Sequence, residues 1–337
     1  TVNTARVSLA ANFRAANILQ LESTLIDQVS DARRTYWDLA QARADVLILQ
    51  RVLDRGIQTR DQLRARETLD AQRAQIADAT SRVEARRTDL LRAQAALRLA
   101  SDRLKSIMND PDLPLESETV LLAAEEPEQT PLQFSLAQSL TDALRQRPEI
   151  STALLNLDDA AIRQRVAQSN TLPRLDLSLG AAINALEDDV GSAYGQLDGD
   201  FVDTLVGLTF EVPLGNRGPE ADLRRARLER LRGVVEYKRT LRDVILDVRS
   251  AFINAATSHR LIEQTRTARL AAADTLRTLL IENDTTGSRT VERLDLELNR
   301  QEALARAERA EAADLADYQR ALVTLDQATA ATLRRFN

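Results

Sequence analysis

From Leu25 the apolar positions fall at Leu25, Val29, Ala32, Tyr36, Leu39, Ala42, Val46, Leu49 and Leu53, in steps alternating mostly between four and three. Such spacing keeps one stripe of a helix against a partner, as in a heptad seam, and leaves the other faces to charged residues. A second run, Leu241, Ile245, Val248, Phe252 and Ala255, repeats the steps. The two runs are copies. TLIDQVSDARRTY at 24–36 returns as TLRDVILDVRSAF at 240–252, an offset of 216, with Thr24, Leu25, Asp27, Asp31 and Arg33 identical to Thr240, Leu241, Asp243, Asp247 and Arg249. The chain therefore reads as two versions of one helical unit with something different between them.

Between Ala5 and about Glu67 only Gly56 interrupts the helical pattern, and from about Glu220 to Asn283 only Gly233 does. Some 60 residues at 1.5 Å each predict rods of roughly 90 to 100 Å. A return helix follows each, over about 74–108 and about 290–330. The second turn is marked by the breaker cluster Asn283-Asp284-Thr285-Thr286-Gly287. The first, near Leu69 to Arg73, has neither Gly nor Pro. Residues 109–137 hold four of the eight prolines and predict an extended connector. A helix from about Leu136 through Ser169 follows, broken near its start at Arg147-Pro148.

Two segments change period. In 174–183, Leu175, Leu177, Leu179, Ala181 and Ile183 alternate with Arg174, Asp176, Ser178 and Gly180; in 204–213, Val206, Leu208, Phe210 and Val212 alternate with Gly207, Thr209 and Glu211. Period-2 alternation predicts strands with one oily and one wet face. The acidic, Gly-containing 184–203 is their exposed loop. Ten alternating residues suit either a soluble hairpin packed on helices or a transmembrane β-barrel strand, and the pattern leaves both open.

Composition narrows the functions. Aromatics are 3%, which suits narrow helix seams better than thick cores. No apolar run approaches the length of a transmembrane helix. The net charge of −6 is spread over interleaved acids and arginines without a basic–aromatic patch, which argues against nucleic acid. With no cysteine, disulfides, thiolate metal sites and a lipid-modified N-terminal Cys are excluded in this sequence. His259 has no second His or Cys near it and predicts a helix-packing residue; Tyr36 and Trp37 predict seam packing rather than a ligand cage. No nucleotide loop, nucleophile elbow or metalloprotease motif occurs, so neither a cofactor nor an enzymatic role is expected.

Several co-linear motifs carry a resemblance: YWDLA (36–40), RLKSIMNDPDL (103–113), ALRQRPEI (143–150), Leu172-Pro173-Arg174-Leu175 after a helix, and Pro213-Leu214-Gly215-Asn216-Arg217-Gly218-Pro219-Glu220-Ala221 between a strand and a long helix. In this order, over nearly the whole chain, they resemble the TolC family of outer-membrane efflux factors. The resemblance implies a mainly α fold of long antiparallel coiled-coil-like hairpins in two repeats, with one β-hairpin contributing to a trimeric outer-membrane β-barrel. It assigns 1–108 to a first helical repeat, 109–140 to an equatorial connector, 141–172 to a helix leading to the barrel, 173–214 to the strand pair, and 215–337 to the second repeat and a C-terminal equatorial segment. Thr1 stands where Arg217 or Gly218 stands in the second copy, so a first strand pair is expected upstream. The implied function is a homotrimeric exit duct in the outer membrane of a Gram-negative bacterium, reaching into the periplasm. An inner-membrane pump would feed it through a periplasmic adaptor. The runner-up is a periplasmic coiled-coil scaffold or adaptor that spans no membrane.

The same resemblance places acids after the last helix turn at the periplasmic entrance. Glu292 and Asp295, spaced i,i+3, share one helix face, and three copies would form a cation-favouring ring. The alternative is solvated charges paired with Arg289 or Arg293. The barrel lumen would take Asp176, Ser178, Thr209 and Glu211, and lipid would meet Leu175, Leu177, Leu179, Val206, Leu208 and Phe210.

Overall fold

The computed structural model describes residues 4–67, 71–127, 129–131, 135–183, 202–212, 214–285 and 290–336. Helices α1 (Ala5–Ala65) and α2 (Arg73–Met108) are followed by α3 (Leu136–Gln146) and α4 (Pro148–Ser169). Strands β1 (Arg174–Ile183) and β2 (Val202–Glu211) precede α5 (Arg217–Thr285), α6 (Val291–Ala328) and a final 3-10 turn, Leu333–Phe336. Local chemistry sets the breaks. Asn109, left-handed at φ 46°, ends α2 with its N–H on the Lys105 carbonyl, a conformation asparagine tolerates. Ser135 caps α3, and Pro148 opens α4, where a missing N–H costs nothing.

The chain forms two compact units, one of Thr1–Ile18 with Ser151–Thr240 and the other of Leu19–Ile150 with Leu241–Asn337. The first holds the antiparallel strand pair. The second is built on apolar seams: Ile48, Leu49, Val52 and Leu53 of α1 meet Val83 and Leu90 of α2 and Ala305 of α6, and a further cluster joins Leu63, Ala71 and Ala79 to Val291, Leu294 and Leu298.

Some expected boundaries and phases shift. The buried stripe at the start of the second unit's α1 segment runs through Ile26, Ser30 and Trp37, while Leu25 is 46% exposed. The stripe turns because polar partners come from the C-terminal end: Ser30 Oγ lies 3.3 Å from Thr332 Oγ1, both buried, and Arg33 donates to Asp326 at 2.8 Å. Helix α5 continues through Asn283 to Thr285, past the start of the expected breaker cluster. Asn283 is buried and its Oδ1 accepts from Arg293 Nη1 at 3.0 Å, which turns that oxygen away from the backbone groups it could otherwise compete for. Strand β2 occupies 202–211 rather than 204–213, because residue-for-residue pairing with β1 runs from Arg174↔Glu211 to Ile183↔Val202. Residues 184–201 of the expected loop, and Arg289, lie outside the described residues.

The expected extended connector begins instead with two turns, Leu113 N donating to the Asp110 carbonyl and Ser117 N to the Pro114 carbonyl, each at 3.0 Å, and side chains hold points along it. Lys105 donates to the Ser117 carbonyl at 3.0 Å, Ser101 Oγ accepts from Leu121 N at 2.9 Å, Arg43 donates to the Ala123 carbonyl, and Tyr36 Oη accepts from Glu125 N at 3.1 Å. Tyr318 Oη donates to the Thr130 carbonyl at 2.6 Å. His259 packs edge-on against Tyr318 at 5.2 Å, and Tyr36 against Trp37 at 5.2 Å.

Arg147, at the α3–α4 break, donates to Glu149 at 2.9 Å and to Asp247 at 3.1 Å. Burial works to lower its pKa, but Glu149 and Asp247 more than offset this, and the guanidinium sits above its ordinary value. Arg147→Met removes charged hydrogen bonds worth about 1.5 kcal/mol, at the low end because both carboxylates stay largely in water. A lowered midpoint in thermal unfolding is expected, with Glu149→Gln falling between Arg147→Met and wild type.

Candidate functional site

The strand pair is set out by its register. Leu175↔Phe210, Leu177↔Leu208 and Leu179↔Val206 lie directly opposite on one face. Asp176↔Thr209, Ser178↔Gly207 and Arg174↔Glu211 lie on the other. The six large apolar side chains are 62–72% exposed, so no described part of the chain covers them. This apolar face is continuous and would be costly in water. A soluble hairpin packed on helices requires that face to be covered, and among the described residues it is bare.

The opposite face is small and polar. Arg174 pairs with Asp176 at 2.7 Å, and Ser178 Oγ donates to the Gly207 carbonyl at 3.3 Å. A Cβ at Gly207 would stand 2.6 Å from Ser178 Oγ, so glycine keeps this face shallow. Leu205, opposite Gly180, is the apolar exception on it.

In the other unit, Glu292 and Asp295 lie in the first two turns of α6 and line a cleft of about 440 Å³ with Asp78, Arg82, Leu63 and Val291. Asp295 pairs with Arg82 of α2 at 3.4 Å and accepts from Asn299 at 3.3 Å. Arg82 also holds Asp78 at 2.8 Å and donates to Asn299. Of the two expected partners, Arg293 turns to Asn283 instead. The two carboxylates line the same cleft, and the cation beside Asp295 comes from α2.

One turn along α2 from Arg82 stands a buried polar layer. Arg86 donates to the Val52 carbonyl of α1 (3.0 Å), the Leu298 carbonyl of α6 (2.9 Å) and Gln301 Oε1 (3.0 Å). Gln301 Nε2 in turn donates to Thr59 Oγ1 and Glu297 Oε1, each at 3.0 Å, and Thr59 donates to Glu297 at 3.0 Å. Burial lowers the Arg86 pKa from its ordinary value, Glu302 opposes this and Arg82 adds to it; an arginine so placed remains a cation. A Cβ at Gly56 would lie 2.3 Å from Arg86 Nη1, so glycine lets the guanidinium rest on the α1 backbone. Sequence reasoning did not single out Arg82, Arg86, Thr59, Glu297 or Gln301. Among so many arginines and acids, Gly56 inside a helix was the one signal.

Among the described residues there is no cluster of His, Cys, Asp or Glu suited to a metal, and no helix is long and apolar enough to cross a membrane; the latter says nothing of strands.

Residues 139–331 match the family model of outer membrane efflux proteins. No curated protein sequence matches the chain significantly. Among solved structures, the Campylobacter jejuni CmeC outer membrane channel is similar with a TM-score of 0.78 at 17% identity, over 99% of this chain and 71% of that one. The Vibrio cholerae outer membrane protein VceC gives 0.78 at 19% identity, over 97% and 75%. The open-state Neisseria gonorrhoeae MtrE outer membrane channel gives 0.79 at 18%, over 96% and 71%. At these identities the likeness is one of fold.

Proposed function

The chain belongs to the outer membrane efflux protein family, and from this premise we propose that three copies assemble into one passive exit duct, fed by an inner-membrane pump through a periplasmic adaptor. It is a channel subunit of the outer membrane that extends into the periplasm. The observation that carries the duct reading is the strand pair. Its bare apolar face suits lipid, and its shallow polar face, with Asp176, Ser178, Thr209 and Glu211, suits a watered lumen. Closing strand pairs from several copies into one barrel leaves no unpaired edge in the hydrocarbon, which lipid requires.

Glu292 and Asp295 are the proposed entrance carboxylates. Repeated about an axis they would make an anionic constriction that favours cations and binds multivalent ones. The Arg82–Asp295 pair ties two helices there, and an exposed pair of this kind is weak enough to break during opening. The test is single-channel recording of the full-length protein in planar bilayers. Glu292→Ala with Asp295→Ala is expected to raise conductance and to weaken block by added multivalent cations. Wild-type conductance and block in the double variant would remove these residues from the entrance.

A further inference from the structure

The geometry points to Arg86 as a positioning residue for the entrance. Its buried layer is a register lock that holds α2 against α6 at the one offset where Arg82 meets Asp295. This rests on the entrance reading above.

The contacts that flank the layer are apolar: Leu63, Ala79 and Leu294 toward one end, Leu49, Leu90 and Ala305 toward the other. Apolar burial is non-directional, so these seams alone tolerate a slip of one helix along another. A buried polar layer does not, because its donors and acceptors meet at one offset only. Arg86 of α2 is fixed by acceptors on two other helices, Val52 O on α1 and Leu298 O with Gln301 on α6. Gln301 extends the lock to Thr59 on α1 and to Glu297. A slip of one turn, about 5.4 Å, would leave the guanidinium among leucines without a partner.

Gly56 belongs to the same device. It sits inside α1, where no turn needs it, and its missing Cβ is the space Arg86 Nη1 occupies. Arg82 lies four residues from Arg86 on the same helix face, and Asp295 and Asn299 lie beside Leu298 on α6. Once the layer is seated, Arg82 is opposite those two side chains. Arg86 thus acts on the entrance without touching either entrance carboxylate.

Single-channel recording of the full-length protein tests this with Arg86→Met, Gly56→Ala and the double variant. Arg86→Met and Gly56→Ala are each expected to raise conductance severalfold, although Arg82, Glu292 and Asp295 are intact. The double variant is expected to match Arg86→Met, because the alanine methyl fills space the guanidinium has left. Should Arg86→Met fail to assemble, Arg86→Lys replaces it; a lysine keeps the charge but carries its donors on one nitrogen, without the planar fork whose two ends reach acceptors on α1 and α6. A trimer with a lowered thermal midpoint but wild-type conductance would overturn the lock and leave Arg86 a merely structural residue. If Glu292→Ala with Asp295→Ala changes conductance while Arg86→Met and Gly56→Ala do not, the lock fails and the entrance reading stands. If the carboxylate variant changes nothing, the entrance reading fails first and the lock falls with it.

Discussion

Leu177→Arg combined with Leu208→Arg is expected to abolish recovery of the folded protein from the outer membrane. The two side chains are direct cross-strand partners on the bare apolar face, 63% and 68% exposed. An arginine on the lipid face of a barrel costs about 2–4 kcal/mol near the bilayer midplane. Two in each copy of the proposed trimer make six arginines and a cost of about 12–24 kcal/mol within one barrel, comparable to or above the roughly 5–15 kcal/mol by which folded proteins are stable. The control is Ser178→Arg, one residue away on the opposite face, where an arginine would meet water. That variant should still reach the membrane and alter conductance instead. Membrane fractionation, with unheated gels to detect the assembled form, separates the outcomes. Normal insertion of the double variant would deny that this face meets lipid.

Leu294→Ala should be the most damaging truncation in the helical unit. Leu294 is fully buried in the cluster with Leu63, Ala71, Ala79, Val291 and Leu298. Removing a buried leucine costs about 2–5 kcal/mol, more where the surroundings cannot collapse into the void. Two of its neighbours are alanines, Ala79 on α2 and Ala71 just before that helix, whose short side chains offer little to move into the void, so the upper half of that range applies. Glu292→Ala, two residues earlier and exposed, should lie within about 0.5 kcal/mol of wild type. Thermal unfolding of the detergent-solubilised protein measures both. Equal midpoints for the two variants would show that the seam at Leu294 is not packed as described.

Those two sites differ in how far the sequence reveals them. The strand pair is legible because period 2 distinguishes Leu175, Leu177 and Leu179 from Asp176 and Ser178 without any knowledge of neighbours. What the alternation cannot say is whether the oily face is covered; that needed the structure. The long helices are legible for the same reason, through the four–three steps, but their rotation is not. Leu25 and Ile26 are equally apolar, and the choice between them was made by Ser30 and Arg33, whose partners Thr332 and Asp326 lie some 300 residues away. Asn283 misleads for a related reason, since its side-chain oxygen is engaged by Arg293 of α6.

Glu292 and Asp295 were legible as a shared helix face, and the cation at Asp295 was not. Arg82 is one of many arginines on amphipathic helices, and only the packing of α2 against α6 distinguishes it. Arg86 is equally hidden, but Gly56 left a trace: a glycine in a helix costs up to about 1 kcal/mol relative to alanine, so its presence away from any turn asks for a close approach. The conserved geometry of the repeat shows more modestly. Thr24 donates to the Gln20 carbonyl at 2.9 Å and Thr240 to the Glu236 carbonyl at 3.1 Å, the same back-bond in both copies. The copies part at Tyr36 and Phe252, where only the first carries the hydroxyl that receives Glu125 N of the connector.

No cysteine occurs among residues 1–337, so one placed in the strand pair is a unique label within them. Single cysteines at Leu175, Asp176, Leu177, Ser178 and Leu179 of the full-length protein, in isolated outer membranes, are challenged with a membrane-impermeant maleimide. A channel subunit with lipid on one strand face and water on the other predicts labelling at 176 and 178 and protection at 175, 177 and 179, with protection lost after detergent extraction and denaturation. Uniform labelling at all five positions, or labelling confined to the leucine positions, would contradict it.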